Sequence, residues 1–159
     1  MPYQFWIFLH LVGVTAFFSN AISALFWKKR ADRLREPRVV AHTFRSLAAA
    51  DIWISLPAVL AIVVGGVGSA MAAELGILRT GWILWSIAAF IGSGIVNAAA
   101  AWPLQKRIAT WTTESATADF DWNRYSVEAK RWSRWAHLSL ACAAVAMVLM
   151  VVRPQLPGL

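Results

Sequence analysis

Cysteine is almost missing from this chain. Cys142 is the only one in 159 residues, which excludes a disulfide framework, a CxxC redox pair, a CxxCH haem attachment and a cysteine-based zinc site within one chain. Lying in an apolar run, it reads as a small packing residue. Acidic residues are few as well, 8 against 15 Lys and Arg, for a formal net charge of +7. The P-loop GxxxxGK(S/T), the dinucleotide GxGxxG, the zinc HExxH and the hydrolase GxSxG do not occur. Phosphoryl transfer, nicotinamide binding, zinc proteolysis and serine hydrolysis therefore have no sequence support. No low-complexity tract or internal repeat is detected, and the centres of the long apolar stretches carry no charge.

Apolar residues dominate what is present. They make up 59% of the chain and mean hydropathy is +0.56, whereas a soluble domain is nearer ~45–50% apolar. Four apolar stretches fall at residues 3–27, 52–73, 81–102 and 135–152. Each approaches the ~20 residues that a helix needs to cross a ~30 Å hydrocarbon core. The fold class this predicts is all-α, an integral membrane four-helix bundle with cytoplasmic amphipathic helical segments. A single transmembrane domain occupies residues 1–159, leaving no room for a separate soluble catalytic domain.

The cations flank the spans. Lys28, Lys29, Arg30, Arg33, Arg35, Arg38 and Arg45 lie between spans one and two, and Lys106, Arg107, Arg124, Lys130, Arg131 and Arg134 between spans three and four. The connection between spans two and three carries only Glu74 and Arg79. By the positive-inside rule both basic segments face the cytoplasm, and both termini are periplasmic. The expected location is the bacterial cytoplasmic (inner) membrane, multi-pass. The first apolar run lacks a positive n-region and is too long for a signal peptide, so it is expected to be retained. The expected partners are a bilayer with anionic headgroups and other membrane proteins or further copies of the chain, not nucleic acid.

Within the first basic segment, Pro37 suits the first turn of a helix, and Val39, Val40, Phe44 and Leu47 follow at helical spacing. This predicts an amphipathic helix lying on, or rising from, the cytoplasmic surface and leading into span two. Pro57 is expected to kink that span. In the second basic segment, Thr110–Ala118 reads as a turn or mobile stretch. Asp121–Trp135 reads as helix, with Tyr125, Glu128, Trp132 and Trp135 three and four apart. Most of the ten Trp residues fall near span ends, as an aromatic belt requires.

Polar groups inside a bilayer are costly and mark the places to look for function. His10, Gly13, Phe17, Asn20, Ala24 and Trp27 form one seam of span one. His10 lies roughly 10 Å below the outer surface, at 1.5 Å per residue, where Gly65, Gly66 and Gly68 of the antiparallel span two arrive at nearly the same level. Two readings follow. His10 bonds a neighbouring carbonyl while the glycines serve helix packing, or the glycines open space for a porphyrin and His10 supplies the axial metal ligand of haem b. Nearer the cytoplasm, Asn20, Ser23, Asn97, Asp51 and His137 fall at similar depth. Asn20 and Asn97 are placed to hydrogen-bond across spans one and three, and a polar cavity for a quinone headgroup or a proton is the alternative. His137 lies roughly 15 Å from His10 along the axis on the same arithmetic, too far to share an iron.

Leu9-His10-Leu11-Val12-Gly13, Phe17-Phe18-Ser19-Asn20, Phe26-Trp27-Lys28, Ala31-Asp32-Arg33, Ala50-Asp51-Ile52-Trp53 with Pro57, Gly65-Gly66 and Trp102-Pro103-Leu104-Gln105 resemble an uncharacterised family of bacterial four-helix integral membrane proteins. These short runs cover most of the chain, and the resemblance implies the topology. More distantly, the first span is similar to the membrane protoporphyrinogen oxidase family, which implies a haem-associated role for His10. The chain departs from that family in span three, which has no Lys and ends in Trp102-Pro103.

Two principal functions compete at this stage. One is a b-type haem protein, redox-active or haem-handling, with His10 as ligand. The other is a non-catalytic accessory or scaffold subunit of a larger membrane complex. A transporter is a weaker third, given uncharged span centres and only four spans.

Overall fold

The computed structural model describes residues 2–115 and 120–159. Helix α1 (Tyr3–Leu34) ends on Arg35 in the left-handed conformation, and Pro37 then opens α2 (Pro37–Ala50) at a first-turn position. A π turn (Asp51–Ser55) carries α2 directly into α3 (Leu56–Ala72). After a short connection, α4 (Gly81–Val96) passes through a second π turn (Asn97–Ala101) into α5 (Trp102–Glu114). Helix α6 (Trp122–Val152) starts on Asp121, whose carboxylate accepts the Arg124 amide at 2.9 Å.

The protein is all-α, and its four continuous helices have 32, 36, 34 and 31 residues. At ~1.5 Å per residue these rods are about 46–54 Å long, well beyond a ~30 Å hydrocarbon core. Each span read from composition thus occupies one end of a longer rod, and the basic segments are the continuations at the other end. Thr110–Glu114, expected as a turn, completes α5, with Thr112 and Thr113 bonding back to the carbonyls of Ile108 and Ala109. The rest of that expected turn includes residues 116–118, which lie outside the described residues.

Both π turns have a local cause. Pro57 and Pro103 lack an N–H, and their rings crowd the carbonyl four residues back. One widened turn immediately before each proline relieves that clash, through Leu56 N–H to Asp51 O and Trp102 N–H to Asn97 O. In each helix an Asx residue stands six positions before the proline.

Packing divides the molecule into two tiers. Toward the termini, α1 pairs with α3 and α4 with α6, while α3 approaches neither α4 nor α6. The outward faces there are apolar and exposed, as at Leu60, Val63, Met71, Ile91 and Ile95, which suits lipid. Toward the basic end, α2 packs on α5 and draws the two pairs together. The tightest core lies in this tier: Ala31, Val40, Phe44, Ile108, Tyr125 and Trp132 are buried together, Val40, Phe44 and Ile108 completely. The helix expected to lie on or rise from the surface and lead into span two does lead directly into it, and its apolar stripe is buried against protein, not laid on the membrane surface. Phe44 meets Tyr125 and Trp132 edge-on, with ring centroids 6.2 and 5.5 Å apart.

Candidate functional site: a polar clasp between the two tiers

Where the tiers meet, one chain of hydrogen bonds joins all four rods. The buried Trp132 indole on α6 donates to Gln105 Oε1 on α5 at 2.9 Å, and Gln105 Nε2 donates to Asp51 Oδ2 at 2.6 Å. Asn20 Nδ2 on α1 donates to Ser55 Oγ at 2.8 Å and to Asp51 Oδ1 at 3.4 Å. Ser55 Oγ in turn reaches Asp51 Oδ1 at 3.4 Å. Asp51 and Ser55 open and close the first π turn, so the widened backbone presents both on one side. The carboxylate is held by neutral donors, and the ion pairs among the described residues lie elsewhere.

Two further ties lock the basic tier. Lys28 pairs with Asp32 at 2.8 Å, and the Tyr125 phenol donates to the same carboxylate at 2.6 Å, joining α1 to α6. Burial, then the bond to Asp32 and its charge, push the Tyr125 phenol well above its ordinary range, so it remains a donor. Glu128 accepts the Trp111 indole and the Arg107 guanidinium, both at 3.0 Å, joining α5 to α6.

The polar residues grouped by depth in the sequence do not form one cluster. Asn20 and Asp51 meet. Asn97 is exposed on α4–α5 and does not reach Asn20; the α4–α6 contact is made instead by Ser93 and Ser139, 3.0 Å apart. His137 is exposed and donates Nδ1–H to Ser133 O of its own helix at 2.6 Å. Ser23 is exposed and faces a groove between α1 and α2. Ser55, Gln105 and Trp132 were not singled out as site residues by sequence reasoning. Nothing local distinguished Trp132 from the interfacial tryptophans.

The space between α1 and α3 that a haem at His10 was expected to use is closed. A β-carbon on Gly65 would lie 2.5 Å from the His10 backbone nitrogen, and one on Gly66 would lie 3.2 Å from its ring Nδ1. Gly68 is covered by the Trp6 ring. Gly13 approaches α3 as closely, 2.8 Å from a β-carbon position to Ala58 O and to Ile62 N. The glycines bring two backbones together and leave no slot for a porphyrin between α1 and α3. The His10 ring donates Nδ1–H to Ile62 O at 2.8 Å, the packing reading of the seam. Among the described residues, no three His, Cys, Asp or Glu side chains gather to hold a metal ion.

Comparison with known families agrees with this architecture. A family model described as "Predicted integral membrane protein (DUF2269)" matches residues 5–154. The chain belongs to that family. DUF2269 membership fits the residue runs quoted above for an uncharacterised family of four-helix membrane proteins, and lends nothing to a relationship with protoporphyrinogen oxidases. No curated protein and no solved structure matches the chain.

Proposed function

We propose that this DUF2269 protein is a non-catalytic module of the bacterial cytoplasmic membrane, an accessory or scaffold subunit that presents its basic tier to the cytoplasm. The carrying observation is the clasp from Trp132 through Gln105 and Asp51 to Asn20 and Ser55. Its polar groups are spent on one another: Ser55 Oγ, the one hydroxyl beside the carboxylate, also accepts from Asn20, and among the described residues no Lys or Arg pairs with Asp51. Such a network fixes four rods in one arrangement. The charge bias of the flanking segments supports placing both termini in the periplasm, and the same cations suit anionic headgroups.

The test is a spectrum together with a native-size measurement. After haem-supplemented expression, the purified protein is expected to be colourless. In a mild detergent extract it is expected to migrate in a complex larger than one chain, whether with other subunits or with further copies. A Soret band that disappears in His10→Ala would overturn the proposal. So would a chain that extracts from its native membrane only as a monomer.

A further inference from the structure

Helices α1 and α2 leave the Arg35–Glu36 turn as an antiparallel pair but do not close on each other. Between them runs a groove of about 700 Å3, from Ala16 on the membrane side to Leu34 at the basic end. That volume lies within the ~300–1,000 Å3 usual for sites that enclose a small amphiphile. The 18 residues from Ala16 to Leu34 give a length of roughly 27 Å at 1.5 Å per residue. The lower part lies within the first apolar span, so it opens to hydrocarbon, not to water.

Ala16, Ala24, Leu47, Ala50 and Ile54 make apolar walls, Ser19, Ser23, Thr43 and Ser46 bring hydroxyls along its length, and Arg30 stands about one turn short of Leu34 at the basic end. Ser69, Ser86, Thr112 and Ser133 return their hydroxyl protons to carbonyls of their own helices. Ser19, Ser23 and Thr43 make no such bond among the described residues, and Ser46 has only a 3.5 Å contact with His42. Ser19 and Ser23 lie within the first apolar span, where an unpaired polar group facing hydrocarbon is costly. Arg30 is not among the ion-paired cations, and the one acid of α1, Asp32, lies on another face and is already taken by Lys28 and Tyr125.

We infer that this groove binds one anionic phospholipid from the leaflet at the basic end. One of its acyl chains lies along Ala16 and Ile54, an ester carbonyl accepts from Ser23 or Ser46, and its phosphate sits by Arg30. The match is one of charge and of hydrogen-bond sense: the wall offers donors and a cation, while phosphate and ester oxygens are acceptors. The inference is independent of the scaffold reading, since a catalytic protein could carry the same groove.

The test is lipid retention by native mass spectrometry after release from nanodiscs of phosphatidylglycerol or phosphatidylcholine. The wild-type chain is expected to retain one phosphatidylglycerol and to prefer it over phosphatidylcholine. Arg30→Gln should weaken retention about fivefold, the factor carried by one cation near an anionic membrane surface. Ser23→Leu, which fills the groove from an exposed position, should abolish it, while Arg79→Gln at the opposite end should leave it unchanged. Helical content and melting of each variant are read by circular dichroism. If Ser23→Leu does not fold, Thr43→Leu blocks the same groove from α2. Equal retention of the two lipids, undiminished binding in a folded groove-filled variant, or co-release of a partner helix in place of lipid would overturn the inference.

Discussion

Replacing Gly65 by alanine would put a methyl group 2.5 Å from the His10 nitrogen and 2.8 Å from its α-carbon. Ordinary van der Waals contact begins near 3.4 Å, so α1 and α3 must separate by close to an ångström, and the obstacle is backbone that no rotamer change can move. Overpacking of this kind costs about 1–3 kcal/mol, set against a gain of up to about 1 kcal/mol from replacing a helical glycine. The net expectation is a loss of about 1–2 kcal/mol, with the Nδ1 bond from His10 to Ile62 lengthened. Gly92 is the control, because nothing lies within 4 Å of its β-carbon position. Gly92→Ala should be neutral or stabilising by up to about 1 kcal/mol. Gly66→Ala, facing only the ring of His10 at 3.2 and 3.4 Å, should fall between them. Denaturant unfolding in mixed micelles, followed by circular dichroism, ranks the three. Equal stability of the Gly65 and Gly92 variants would refute the close crossing, and with it the argument that no porphyrin fits there.

Gln105→Leu strands the Trp132 indole N–H and one oxygen of Asp51 in a buried place, and should cost about 2–4 kcal/mol in the same assay; a change under 0.5 kcal/mol would remove the clasp as a stabilising element. Tyr125→Phe deletes the 2.6 Å bond to Asp32 and should cost about 1.5–3 kcal/mol, with amide exchange accelerating at the start of α6 and not at its end. At the other end of the molecule, Leu159 N–H donates to Leu78 O at 2.9 Å and the Trp85 indole to Pro157 O at 3.2 Å, while a β-carbon on Gly158 would collide with Arg79. Gly158→Val should therefore release the tail, seen as faster exchange of the Leu159 amide and of the Trp85 indole N–H.

Composition made the spans legible because hydrocarbon imposes a long, uncharged signature that few other environments demand. The continuity of the rods was harder to read. Lys28–Leu34 and Trp102–Glu114 are polar enough to pass for loops, and their helicity depends on a core assembled from all four rods. The stripe Val40–Phe44–Leu47 showed that one face of α2 is buried, but a hydrophobic period does not say whether lipid or protein covers it. Gly65 and Gly66 likewise announced close approach without naming what approaches. Trp132 was hidden by its own kind: among ten tryptophans, one that belongs to a buried network looks like the rest.

The core of the basic tier has a consequence for how the chain is made. Asp32 and Tyr125, which share a hydrogen bond, are 93 residues apart. At about 5–20 residues per second, translation separates them by roughly 5–20 s. Through that interval the Val40–Phe44 face has been synthesised but lacks the part of its cover that Tyr125 and Trp132 bring. The nascent chain thus displays a sticky helix beside the ribosome until its last rod arrives, a window in which an insertase or holdase has something to hold and a truncated product has every reason to aggregate.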